Sequence, residues 1–105
     1  MTEISVEELR EMRERGEKCL LLDVRQPWEH ELARIQDDLL IPLDQLSARL
    51  AELDDAHLVV CYCHHGVRSL SAAAFLERNG VASVASLTGG IDAWSERIDA
   101  AVPRY

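Results

Sequence analysis

The segment Cys63-His64-His65-Gly66-Val67-Arg68-Ser69 carries the densest chemistry in the chain. A cysteine is a nucleophile only as its thiolate. A free thiol titrates near about 8.5 unless a helix N-terminus or a nearby cation favours the charged form. The residues that follow, Ser69 to Asn79, have a helical pattern closed by Gly80, so unpaired N–H groups and a positive dipole end face the cysteine. Gly66 is free to take a backbone angle that other residues avoid, which lets successive amides curl inward as an anion-binding nest. Arg68 adds a permanent cation. These residue types in this order make a cradle for one negative sulfur and for a second sulfur attached to it.

The elements around this loop are legible from spacing. Leu58-Val59-Val60-Cys61-Tyr62 is an apolar, β-rich run that delivers the chain to Cys63. Cys19-Leu20-Leu21-Leu22-Asp23-Val24 reads as a strand covered on both faces, Leu39-Leu40-Ile41 as a short strand ended by Pro42, and Val84 to Leu87 as a last strand. Between them, Ser5-Val6-Glu7-Glu8 is a capping box that opens a helix running to Gly16. Pro27 to Glu31 suits a brief helix. Leu43, Leu46, Leu50 and Leu53 recur at helical spacing and predict one amphipathic helix. Ser69 to Asn79 is apolar nearly all round and is expected to be buried; after the turn Thr88-Gly89-Gly90, Ile91 to Ile98 form a final helix.

Strands alternating with helices predict an α/β fold: an open, mostly parallel central sheet of about five strands with helices on both faces. Ligands in such sheets bind beyond the carboxyl ends of the strands, where Cys63 lies.

Composition narrows the function classes. With 105 residues, 48% hydrophobic and 29% charged, the chain reads as one domain over residues 1–105, without repeat or linker. Its net charge of -8 opposes a phosphate backbone or an anionic bilayer, so nucleic acid and membrane are not expected partners. No apolar stretch approaches the roughly 20 residues that span a bilayer. Met1 to Glu8 lacks a basic segment followed by an apolar run. Three cysteines, Cys19, Cys61 and Cys63, are an odd count without a disulfide framework, and point to a reducing cytoplasm.

The loop resembles the active loop of the rhodanese-like sulfurtransferases, and the resemblance covers nearly the whole chain. Its matches are Leu22-Asp23-Val24-Arg25 with Trp28-Glu29, then Ile41-Pro42-Leu43, Tyr62 to Ser69, and Leu87-Thr88-Gly89-Gly90-Ile91-Asp92-Ala93-Trp94. The resemblance implies a single-domain sulfurtransferase of the thiosulfate type, in which Cys63 takes a sulfane sulfur from a donor such as thiosulfate. Cys63 then holds that sulfur as a persulfide and passes it to cyanide or a thiol. It further implies that the backbone of His64, His65, Gly66, Val67, Arg68 and Ser69 binds the substrate sulfur. No metal or organic cofactor is required, because the amides supply the charge stabilisation. The spacing Cys-x4-Arg from Cys63 to Arg68 is one residue shorter than the Cys-x5-Arg of related phosphatases and arsenate reductases, which must wrap a tetrahedral oxyanion. One segment departs from the family: Ala33-Arg34-Ile35-Gln36-Asp37-Asp38 stands where Gly-His-Ile-Pro-Gly-Ala is frequent.

Several residues keep two readings. Arg68 either binds the donor's sulfonate or pairs with a carboxylate and rigidifies the loop. His64 and His65 either line the pocket mouth and lend positive charge to an anion, or are simply solvated; consecutive residues converge poorly on one metal ion. Cys61 reads as core, with a strained Cys61–Cys63 redox pair as the alternative. Cys19 reads as core. Asp23 and Arg25 read as structural, with Arg25 pairing Glu29 or a neighbour, and Trp94 either walls the loop entrance or packs in the core. An alternative function is a sulfur-relay or regulatory module whose acceptor is a protein, docked on the acidic surface.

Overall fold

The computed structural model describes residues 1–53 and 56–105. In chain order the elements are strand β1 (Thr2–Ile4), helix α1 (Val6–Glu14), β2 (Leu20–Asp23), α2 (Pro27–Leu32) and β3 (Asp38–Leu40). Two 3-10 turns follow, Leu43–Ala48 and Leu50–Leu53, and then β4 (Val59–Tyr62), α3 (Val67–Arg78), β5 (Val84–Leu87) and α4 (Gly90–Arg97). The five strands form one sheet in the order β1-β5-β4-β2-β3, with every neighbouring pair parallel. This is the expected α/β architecture, and β4, which leads into Cys63, is its central strand.

Side-chain alternation along β4 divides the core into two layers. Val59 and Cys61 face one layer with Leu22, Ala72, Ala73 and Leu76, and with Leu46 and Leu53 from the 3-10 turns. Val60 and Tyr62 face the other with Val6 and Leu9 of α1 and with Ile91 and Trp94 of α4. Helices therefore cover both faces, which is why β4 is buried along its whole length. Trp94 packs in this second layer, so its core reading holds.

The structure corrects the expectations in four places. The fifth strand is Thr2–Ile4, which is short and largely polar and exposed, and gave no apolar signal. The single helix expected from Leu43 to Leu53 is instead two 3-10 turns, broken at Arg49 (φ -123°, ψ 21°). The leucine pairs 43/46 and 50/53 are each three residues apart, the 3-10 repeat, so all four still reach the core without an α-helix. Helix α3 starts at Val67 rather than Ser69, which brings Arg68 and Ser69 into its first turn. It is also not buried all round: Ser69, Ala72, Ala73 and Leu76 are buried against the sheet, while Val67 and Leu70 are exposed, because the helix covers one face of the sheet and turns its other side outward.

The departing segment resolves simply. Asp37, at the second frequent glycine position of the family pattern, adopts a left-handed backbone with φ 65°. Aspartate tolerates this region better than most residues. Ala33 and Ile35 are buried, and the backbone there is tied to Arg25 and Tyr62.

Candidate active site

Cys63 follows the carboxyl end of β4 and its side chain is 1% exposed. Three residues on, Gly66 takes φ +106° at the N-cap of α3, a conformation open to glycine at little cost. That turn bends the chain back over the sulfur. The Gly66 N–H donates to Cys63 Sγ at 3.1 Å and the Ser69 N–H at 3.4 Å. The thiol lies 3.7 Å from Ser69 Oγ. Ser69 is itself fixed: its hydroxyl donates to the Gly66 carbonyl at 3.1 Å and lies 2.7 Å from Ser86 Oγ on β5. Of the six amides expected around the sulfur, these two reach Sγ itself.

A second element braces the same loop from the opposite layer. The N–H of Ile91 donates to the Cys63 carbonyl at 2.9 Å and that of Asp92 to the His64 carbonyl at 3.1 Å, so the first turn of α4 grips the loop backbone. Gly90 permits this approach. It has φ +60°, and a Cβ there would lie 2.4 Å from the Cys63 carbonyl oxygen and 2.5 Å from that of His64.

Arg68 forms a two-pronged ion pair with Glu29 of α2, at 2.7 and 2.8 Å. Of its two readings, the carboxylate partner is the one found. The Arg68 hydrogen bonds hold the buried Glu29 carboxyl down at about 2 against the cost of its burial, with help from the Tyr105 hydroxyl. Arg25 does not pair with Glu29. It is fully buried and bonds Asp23 at 2.8 Å through both Nε and Nη2, along with the Ala33 carbonyl and the Tyr105 hydroxyl. Its structural reading stands, with Asp23 as the partner.

The histidines part company. His64 is half-buried and lies in a three-ring stack, with the Tyr105 ring on one side (3.8 Å, 5°) and His65 on the other (3.9 Å, 29°). Burial, and then the neighbouring His65, lower its pKa from 6.5, so His64 is neutral at pH 7 and does not supply the expected positive charge. His65 is exposed, with Nδ1 3.9 Å from Asp92. Val67, 74% exposed, offers only its backbone to the loop.

Cys61 is buried in the same layer as Cys63, but burial pushes its thiol up to about 12. Cys19 is half-buried and its thiol is also raised by burial. Among the described residues two clusters bring metal-ligating atoms within 4.8 Å of one another: His64 with His65 and Asp92, and Asp23 with His30 and Asp38. Each is already occupied by protein cations, Asp92 by Arg104 and Asp23 by Arg25.

Tyr105 and Ser86 gave no sequence signal, and Tyr62 was read as strand and family match without a role for its hydroxyl. Tyr62 donates its hydroxyl to Asp38 and accepts from the Ile35 N–H. Each acts across a gap in the chain that spacing does not encode.

The comparisons agree with this geometry. Residues 5–97 match the rhodanese-like domain family. A sulfurtransferase from Allochromatium vinosum is 37% identical over 95 residues, covering 90% of this chain and 89% of that protein. The probable adenylyltransferase/sulfurtransferase MoeZ of Mycobacterium tuberculosis is 35% identical over 97% of this chain, which spans only 26% of MoeZ. Among solved structures, a rhodanese-like domain protein from Staphylococcus aureus superimposes with a TM-score of 0.86 at 27% identity, covering 100% of this chain and 99% of that one. Among the described residues no helix is long and apolar enough to cross a membrane. The family match spans most of the chain, and a sulfurtransferase is 37% identical over 90% of it, so the chain belongs to the rhodanese-like family.

Proposed function

We propose that the protein is a sulfurtransferase that carries a sulfane sulfur from a thiosulfate-like anion to a thiophilic acceptor, cyanide or a thiol, through a persulfide on Cys63. The observation that carries this reading is the pair of backbone N–H groups, from Gly66 and Ser69, aimed at Cys63 Sγ where α3 begins. Preorganised donors of this kind favour the thiolate and remain in place when charge moves to an attached sulfur.

Two half-reactions follow. In the first, the Cys63 thiolate attacks the outer sulfur of thiosulfate; the sulfur–sulfur bond breaks and its electron pair leaves on sulfite. Cys63 then bears an Sγ–S⁻ group. In the second, the acceptor attacks that outer sulfur, and the pair of the breaking bond returns to Sγ. Cyanide leaves as thiocyanate. The amides of His64, His65, Val67 and Arg68 that do not reach Sγ are the remaining donors for the outer sulfur. Ser69 serves Sγ through its N–H, while its hydroxyl is held by the Gly66 carbonyl and Ser86.

The test is a thiosulfate-to-cyanide assay on the wild type and Cys63→Ser side by side, with the mass of the thiosulfate-treated protein. One added sulfur on Cys63 and no turnover in the variant are expected. An unmodified Cys63 in the reduced wild type would refute the persulfide.

A second reading is a relay module whose acceptor is a protein. The net charge of -8 and the exposed Trp28, Val67 and Leu70 beside the Glu29–Arg68 bridge favour it. So does the match to one section of the longer adenylyltransferase/sulfurtransferase. Weak free-thiosulfate turnover together with salt-sensitive binding of a basic partner would mark this case.

A further inference from the structure

Tyr105 lies far along the chain from the Cys63 loop, yet it touches His64 directly and reaches Arg68 through Glu29. Its ring lies flat on His64, the residue after Cys63, at 3.8 Å and 5°. Its hydroxyl donates to Glu29 Oε2 at 2.6 Å and accepts from Arg25 Nη1 at 2.8 Å. Glu29 is the carboxylate that holds Arg68, the far end of the loop. Trp28 meets the same ring edge-on at 6.0 Å. One phenol therefore links His64 to the Glu29–Arg68 pair, at a loop whose sulfur is almost fully enclosed.

The arrangement also carries an internal cost. Nε2 of His64, within the three-ring stack, is buried and has no hydrogen-bond partner. A buried polar atom left unpaired favours any alternative that returns it to water. Tyr105 itself is only half-buried: its ring meets His64, Trp28 and the Arg25 guanidinium, and its hydroxyl bonds Glu29 and Arg25. A half-buried ring whose stacking strands a nitrogen has the character of a two-state contact rather than of fixed core.

We propose that Tyr105 is the gating residue of the Cys63 site and sets the size of the sulfur donors and acceptors that reach it. With the ring on His64, compact groups such as thiosulfate and cyanide pass to Cys63 and bulky thiols do not. When the ring leaves, His64 Nε2 is rehydrated and bulkier thiols gain access. The inference rests on Cys63 being the working sulfur, but the gate itself can be read without any turnover.

The experiment compares alkylation of Cys63 by a small reagent, iodoacetamide, and a bulky one, fluorescein maleimide, with the modified residue identified by peptide mass mapping. Tyr105→Ala is expected to raise the bulky-to-small rate ratio at least tenfold. Tyr105→Phe keeps the ring and loses both hydroxyl anchors, and is expected to fall between Ala and wild type; it also serves as the readout if the alanine variant folds poorly. In turnover, the ratio of kcat/KM for glutathione over that for cyanide is expected to rise in the same order. A purely structural role would slow or speed both sizes together, and an unchanged size ratio in both variants would overturn the gate. If the wild type takes up no sulfur from thiosulfate, the sulfurtransferase reading fails, while the alkylation ratios still decide whether Tyr105 is a gate.

Discussion

Cys61 and Cys63 stand two residues apart and share one core layer, yet their surroundings differ in kind. Burial, and then the neighbouring Cys63, push the Cys61 thiol up to about 12, whereas Cys63 receives two backbone N–H groups. At about pH 8, iodoacetamide is expected to label Cys63 and leave Cys61 unmodified, as read by peptide mass mapping. The same scale fixes a pH dependence. The folded Glu29 titrates at about 2 against an ordinary 4.5, so its contribution is fully present above about 4.5 and is lost as pH falls through that window. The carboxylate is buried, and a shift of this size corresponds to roughly 3–4 kcal/mol. Urea unfolding between about pH 5 and about pH 2.5 is expected to show that loss, and Glu29→Gln to flatten the slope while lowering stability at pH 7. The Cys63 loop and its turn were legible because Cys, Gly and Arg lie within one heptapeptide. The partner of Arg68 was not, because Glu29 reaches it from another helix, and neither residue's spacing records that meeting.

The elements repeat this division between local and non-local information. The capping box of α1, with Ser5 and Glu8 bonding each other's backbone, was written in four consecutive residues and formed as read. The apolar runs of β2 and β4 were legible because both faces are covered. β1 was not, because a three-residue edge strand needs β5 beside it and little burial of its own. The 3-10 turns at Leu43–Leu53 were misread because the leucine spacing satisfies both periods over so short a span. Gly90 is the tightest test at this scale. A methyl there would meet the Cys63 and His64 carbonyls at far less than contact distance. Gly90→Ala is expected to cost more than about 3 kcal/mol by denaturant titration, and to impair sulfur transfer in whatever protein remains folded, because α4 must retreat from the loop. Asp37 offers a milder one: at φ 65°, Asp37→Val is expected to destabilise by about 1–2 kcal/mol, and Asp37→Gly to be neutral or slightly stabilising.

At the scale of the whole molecule, the charge of -8 works against a dianionic donor approaching the Cys63 loop. The nearest guanidinium, Arg68, is neutralised by Glu29, and His64 is uncharged at pH 7, so attraction is left to the backbone donors at short range. Raising ionic strength from about 10 mM to about 150 mM shortens the Debye length several-fold and screens that repulsion. The kcat/KM for thiosulfate is therefore expected to rise with salt; a fall would mean that an unscreened cation steers the donor. The sheet order has a consequence of another sort. Thr2 registers with Ala85 and Ile4 with Leu87, so the strand synthesised first finds its neighbour only when the strand synthesised last is made. During translation that segment stays unzipped while β2, β4 and β3 assemble, and closing such a long loop makes the final seam a slow, late event. A ribosome-stalled chain lacking β5 would expose two unsatisfied edges, at β4 and at Thr2–Ile4, and would invite pairing with its neighbours on a polysome.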